Sequence, residues 1–86
     1  MLVHIPSALH SYTRDARTVD VAGATLDELL RRLDHMYPGI RFRIVDEQDR
    51  VRRHIKLFVN EQVEEDLSAP LRKGDQVHIV CALSGG

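Results

Sequence analysis

Two short apolar runs, Leu2–Ile5 and Thr18–Val21, open the hydrophobic pattern of the chain. In the second, Val19 and Val21 alternate with Thr18 and Asp20, which is the period of a strand with one buried face. The polar stretch between the runs, with Ser7, Ser11, Tyr12, Thr13 and Asp15, predicts a connecting loop, so the pair reads as a first hairpin. The period then changes. Leu26, Leu29, Leu30, Leu33 and Met36 fall on one stripe of a helix, and Asp27, Glu28, Arg31, Arg32 and Asp34 take the other side. Thr25 with Glu28 three residues on is a capping box that marks the start of this helix. Pro38 and Gly39 mark its end. Asp27 with Arg31 and Glu28 with Arg32 form i,i+4 pairs worth only ~0.2–0.5 kcal/mol each, so packing of the leucine stripe must dominate.

From Ile40 to Arg53 charges crowd around Ile44-Val45 and Val51, and the pattern predicts no regular element beyond a turn at Asp46-Glu47-Gln48-Asp49. A strand follows at His54–Val59, with Ile55, Leu57 and Val59 on one face, ended by Asn60. A short pairing segment is expected around Val63, then a helical turn or irregular crossing over Asp66–Leu71. Lys73-Gly74-Asp75 reads as a tight turn into a final strand, Gln76–Ala82. One helix is too small to cover both faces of a sheet. The expected class is therefore α+β: a mixed sheet of four to five strands with one main helix on one face, in the β-grasp order of hairpin, crossover helix and returning strand.

At 86 residues the chain has room for one domain, expected over residues 1–83, with residues 84–86 as a flexible tail. Twelve Lys and Arg against thirteen Asp and Glu leave a formal charge of -1, so no net basic field exists to hold a phosphate backbone, and nucleic acid is not an expected partner. A single cysteine, Cys81, closes no intramolecular disulfide, which suits a reducing compartment. The opening Met1-Leu2-Val3-His4-Ile5-Pro6 has neither the basic region nor the apolar core of a secretory signal, and no segment approaches the ~20 apolar residues of a membrane span. A cytoplasmic protein with no membrane partner is expected.

The chemistry-bearing residues are few. No Ser/His/Asp set, HExxH or phosphate-cradling glycine motif is present, so the chain is not expected to be an enzyme. Cys81 shares a strand face with Val77 and Ile79 and reads as a core residue. His4, His54 and His78 are expected on the sheet face opposite the helix, near Phe58 and Val80, but without a carboxylate second shell they make a weak metal site, and none is expected. Glu61, Glu64, Glu65 and Asp66 read as a solvated acidic loop. The outer sheet face is either an ordinary solvated surface or a docking surface with Phe58 and Val80 at its centre and Lys56 and His78 on its rim. Gly85-Gly86 follows the last strand through Leu83 and Ser84.

Ile55-Lys56-Leu57-Phe58-Val59-Asn60, then Pro70-Leu71-Arg72-Lys73-Gly74-Asp75-Gln76-Val77, then an apolar strand and Gly85-Gly86, resemble the ubiquitin-like sulfur carriers of the MoaD/ThiS family. The resemblance covers nearly the whole chain. Its Ile40–Arg53 insertion looks like the longer-loop members, such as the carrier of mycobacterial cysteine synthesis. Many members carry a Pro-containing run ahead of the glycines, and this chain has Cys81-Ala82-Leu83-Ser84 there. The resemblance implies a protein cosubstrate: an E1-like (MoeB/ThiF-type) adenylyltransferase uses ATP to adenylate the Gly86 carboxylate, and a donor such as a sulfurtransferase converts it to a thiocarboxylate for an acceptor biosynthetic enzyme. No cofactor is expected to be bound. Leu83, Ser84 and Gly85 are the residues to be threaded through the partner's channel, where side chains at the last two positions would clash. It also implies that the face of Phe58, Val80, His78 and Lys56 meets partners. Two other readings stay open: a ubiquitin-like modifier joined to lysines through Gly86, and a non-covalent β-grasp binding module.

Overall fold

The computed structural model describes residues 1–82. Strands β1 (Leu2–His4) and β2 (Thr18–Asp20) form the expected antiparallel hairpin, with Val3 opposite Val19. Helix α1 (Leu26–Met36) crosses over, a second helix α2 (Ile40–Ile44) follows, and β3 (Ile55–Val59), β4 (Gln62–Val63) and β5 (Gln76–Cys81) complete one sheet in the order β2-β1-β5-β3-β4. Only β1 and β5 run parallel, Val3 beside Val77; β3 is antiparallel to both β5 and β4. The architecture is the α+β β-grasp arrangement, a mixed sheet with its main helix on one face.

The core lies between α1 and the inner sheet face. Leu26, Leu29, Leu30 and Leu33 are fully buried there against Val3, Leu57, Val77 and Ile79. Thr25 caps α1 as expected, its side chain accepting the Glu28 N–H at 3.2 Å. The return bond of the capping box is shifted by one residue, because Glu28 Oε1 accepts the N–H of Ala24 rather than that of Thr25. Thr25 itself stands opposite Pro70 in an isolated bridge whose bonds run through its neighbours, the Leu71 N–H donating to the Ala24 carbonyl and the Leu26 N–H to that of Ala69. Met36 departs from the buried stripe: it is 48% exposed, since it sits in the last turn, just ahead of the Pro38-Gly39 break.

The largest difference from the sequence expectation is α2. Gly39, at φ 97°, turns the chain, and Ile40 and Ile44, one helical turn apart, drop into the core together with Val45. Asp34 Oδ1 accepts the N–H groups of Gly39 and Arg41, so a carboxylate on α1 satisfies the start of α2. The expected turn at Asp46–Asp49 is present and closed by the Val45–Val51 bridge. Over Asp66–Leu71 the chain is irregular and not helical: the carbonyls of Leu67 and Ala69 accept the Asp27 and Leu26 N–H groups. This segment therefore satisfies donors that the first turn of α1 leaves unpaired.

Candidate functional site

Strand pairing decides which side chains meet on the outer face. His4 lies beside His78, His78 beside Phe58, and Phe58 beside Val63, one lateral row from β1 to β4. Lys56 and Val80 form the next pair toward the end of β5. The four expected docking residues, Phe58, Val80, His78 and Lys56, are thus brought together on one face. Leu2, Val63 and Val80 are its exposed apolar members, Val80 at 42%.

The imidazoles of His4 and His78 stack 4.1 Å apart. His4 Nε2 lies 2.8 Å from Gln76 Oε1, a bond in which the imidazole N–H donates. Burial, with a lesser contribution from the nearby His4 charge, pushes the His78 pKa below its ordinary value. His78 is therefore neutral at pH 7, and the middle of the row is an uncharged aromatic strip.

His54 does not join this pair. It stands just ahead of β3, its carbonyl accepting the Ala82 N–H at 2.7 Å, and four residues of strand, about 13 Å, separate it from Phe58 beside His78. Among the described residues no group of three or more His, Cys, Asp or Glu is placed to hold a metal ion. Cys81 is half-buried and packs against the core, as its strand face predicts. Burial raises its thiol pKa, which keeps it protonated and a poor nucleophile at pH 7. The acidic loop is partly structural: Glu64 accepts the Asp66 N–H, and Asp66 Oδ1 accepts both the N–H and the hydroxyl of Ser68. Those bonds hold the Asp66 carboxyl below its usual range.

A charged cluster that the sequence pattern did not single out lies on the helical side. Arg41 is largely buried and reaches Asp27 at 2.9 Å and Asp49 at 3.1 Å, tying the 46–49 turn to α1; Asp27 also holds Arg31 at 2.8 Å. Its partners lie 14 and 8 residues away, beyond any local spacing rule. The sequence signal for it was the Ile40–Ile44 spacing, which places Arg41 one position along an element packed on α1.

Residues Leu83–Gly86, on which the expected adenylation site and threading residues fall, lie outside the described residues. The described chain places their point of departure. Ala82 follows β5 directly, and Ile55 lies opposite Cys81, so the last four residues continue from the end of a strand flanked by β1 and β3. No helix among the described residues is long and apolar enough to cross a membrane.

The chain is 29% identical over 89 residues to the sulfur carrier protein CysO of Mycobacterium tuberculosis, an alignment spanning 98% of this chain and 96% of the relative. A chain of the solved Amycolatopsis orientalis BexX/CysO complex superposes with a TM-score of 0.91 at 31% identity, covering 99% of this chain and 98% of that one. SAMP1 from Haloferax volcanii superposes with a TM-score of 0.81 at 26% identity, over 100% of this chain and 98% of that one. The ThiS family profile matches residues 3–86. Sequence order, sheet topology and whole-length similarity agree: the chain belongs to the ThiS family.

Proposed function

We propose that this chain is a sulfur carrier, a protein cosubstrate rather than an enzyme, with Gly86 as its reacting end. In the first step the Gly86 carboxylate attacks the α-phosphate of ATP in an E1-like (MoeB/ThiF-type) adenylyltransferase, giving an acyl adenylate and pyrophosphate. In the second, sulfide displaces AMP and leaves a thiocarboxylate; where the donor is a sulfurtransferase persulfide, its outer sulfur displaces AMP to give an acyl disulfide, which a reducing thiol cleaves to the thiocarboxylate and a disulfide. An acceptor biosynthetic enzyme then takes the sulfur, returning the carboxylate. Activation is needed because a carboxylate has no adequate leaving group, whereas AMP is a good one. Glycine at residues 85 and 86 lets backbone pass close to backbone in a narrow channel. The observation that carries the reading is the family match running through the last strand to residue 86, on a domain whose β5 leads straight into those residues. The outer face of Phe58, Val80, His78 and Lys56 supplies the second contact that holds a threaded chain in register.

The test is incubation with the cognate adenylyltransferase, ATP and a sulfide source. The expected product carries a mass increase equal to one oxygen replaced by sulfur, localised by fragmentation to Gly86. Deletion of Gly86 should abolish it without changing the melting temperature. The likeness to SAMP1, a small archaeal modifier protein, supports a second reading, conjugation through Gly86 to lysines. Amide-linked Gly86 on other proteins, with no thiocarboxylate, would replace the carrier by the modifier. Neither product, with function intact after tail deletion, would leave a non-covalent binding module.

A further inference from the structure

The middle of the outer row is held by two titratable rings packed on each other. The His4 and His78 imidazoles stack 4.1 Å apart, because the parallel pairing of β1 with β5 sets them side by side. Both residues are half-buried. Gln76, on the same face of β5, fixes one ring, its Oε1 accepting the His4 Nε2–H at 2.8 Å, and Phe58 flanks His78 on the other side. That bond does not resist protonation, since Nε2 donates in the charged ring as well as in this neutral tautomer. Rings held in this way have lost side-chain freedom before any partner arrives.

A proton placed on either ring finds no bonded counter-charge. Among the described residues neither imidazole stands in an ion pair. Thr18, opposite His4 on β2, is uncharged, as are Gln62 and Val63 on β4. The carboxylates that register brings nearest are engaged elsewhere: Asp20 of β2 holds the Met1 ammonium, and Asp75, ahead of β5, accepts from the Asn60 amide and the Arg72 N–H. Lys56, one pair along β3 from Phe58, is a cation and opposes further positive charge. Glu61, exposed in the turn after β3, lines the shallow recess beside His78 and forms no ion pair with it among the described residues.

We infer that His4 and His78 act as one recognition element of the docking face, covered by the activating enzyme only while both rings are uncharged, so that a proton on the pair drives the partner off. The inference rests on the carrier reading and the outer-face contact above, and adds to them the state in which that contact forms. Residues 83–86 span at most about 14 Å, and four residues of β5, about 13 Å, lie between His78 and Ala82, so a partner that takes up Gly86 brings its surface beside the row. Leu2, Val63 and Val80 are exposed apolar side chains of that face, and covering them strips water from the rings between them. An imidazolium covered without a counter-charge costs more than an imidazole. Docking therefore lowers the pair's affinity for protons, and by reciprocity protons lower its affinity for the partner. Stacked rings repel a second proton, so the first one taken up sets the transition, at pH values below the ordinary histidine value near 6.5.

The test measures binding of the full chain to the E1-like adenylyltransferase by titration calorimetry, from about pH 7.5 to about pH 5.0, a range that brackets histidine titration. Beside it runs the variant His4→Gln with His78→Gln, whose side chains take up no proton in that range. The ratio of wild-type to variant Kd cancels the enzyme's own titration. It should rise about tenfold from the upper to the lower pH, as a docked state closed to the protonated pair requires. His35→Gln, on α1, should track the wild type throughout. Far-UV circular dichroism checks that each protein is folded at the lowest pH, and His78→Phe, which keeps a ring in the row, replaces the double variant if that one unfolds. Binding with a constant ratio overturns the role of the pair and leaves the carrier reading in place. A ratio that falls in acid also overturns it, since the partner would then prefer the charged pair. No binding by the wild-type chain at any pH removes the carrier reading and the pair's role with it.

Discussion

The rings of His4 and His78 lie face to face, 6° from parallel, although 74 positions separate them in the chain. Parallel pairing of β1 with β5 puts them side by side, and half-burial of His78 makes its charged form unfavourable. A histidine whose folded pKa is lowered takes up its proton more readily in the unfolded chain, so it costs no stability above the ordinary value near 6.5 and lowers stability progressively below it. The melting temperature should therefore fall as pH drops from 7 through the range just below 6.5, and His78→Phe should reduce that fall. Equal pH dependence in the two proteins would remove His78 as its source.

Truncation under the sheet should be costly. Leu30 and Leu33 are fully buried, and replacing either by alanine should cost about 2–5 kcal/mol in urea unfolding, because the sheet and α2 leave little room for collapse into the cavity. Activation should fall only as far as the folded fraction falls. A truncated variant that stays folded yet cannot be activated would place α1 in the partner interface.

Asp27 connects three elements, and its carboxyl is held below the usual range chiefly by the hydrogen bond from Arg31, with Arg41 contributing, against an opposing effect of burial. A carboxylate with a lowered folded pKa adds stability above its unfolded value and loses it as pH falls through the folded one. Asp27→Asn should destabilise the domain near neutrality by about 1 kcal/mol or less, given its partial exposure. The difference from wild type should vanish in strong acid. A gap that persists at pH 2–3 would mean that shape, not charge, matters at this position.

Phe58 is half-buried in the outer row between His78 and Val63. Phe58→Ala should raise the KM for the activating partner about tenfold or more while lowering stability by a smaller factor, as expected of an aromatic at the centre of a docking surface. Chemical denaturation beside an assay of carrier-dependent ATP–pyrophosphate exchange by the activating partner separates the two losses. Comparable losses in both would make Phe58 a core residue.

Local pattern carried the elements whose signals lie within a few residues: the leucine stripe of α1, its Thr25 cap, the Pro38-Gly39 stop, the alternation in β3 and the Lys73-Gly74-Asp75 turn. Their energetics depend on neighbours three or four positions away, so composition and spacing expose them. The terminal Gly85-Gly86 was also legible as part of the resemblance that the whole-length family match bears out. Helix α2 was obscured by Arg41 and Arg43, whose charges broke up the apolar run; Ile40, Ile44 and Val45 show themselves as one buried face only once α1 is present to receive them. The separation of His54 from the other histidines follows from strand direction and register. Those are set by contacts between segments tens of residues apart, where a one-residue slip reverses every side chain, and no local period encodes them. Sequence determined which faces must be buried and which family the chain resembles; the tertiary structure decided which distant side chains meet, because strand pairing alone brings them side by side.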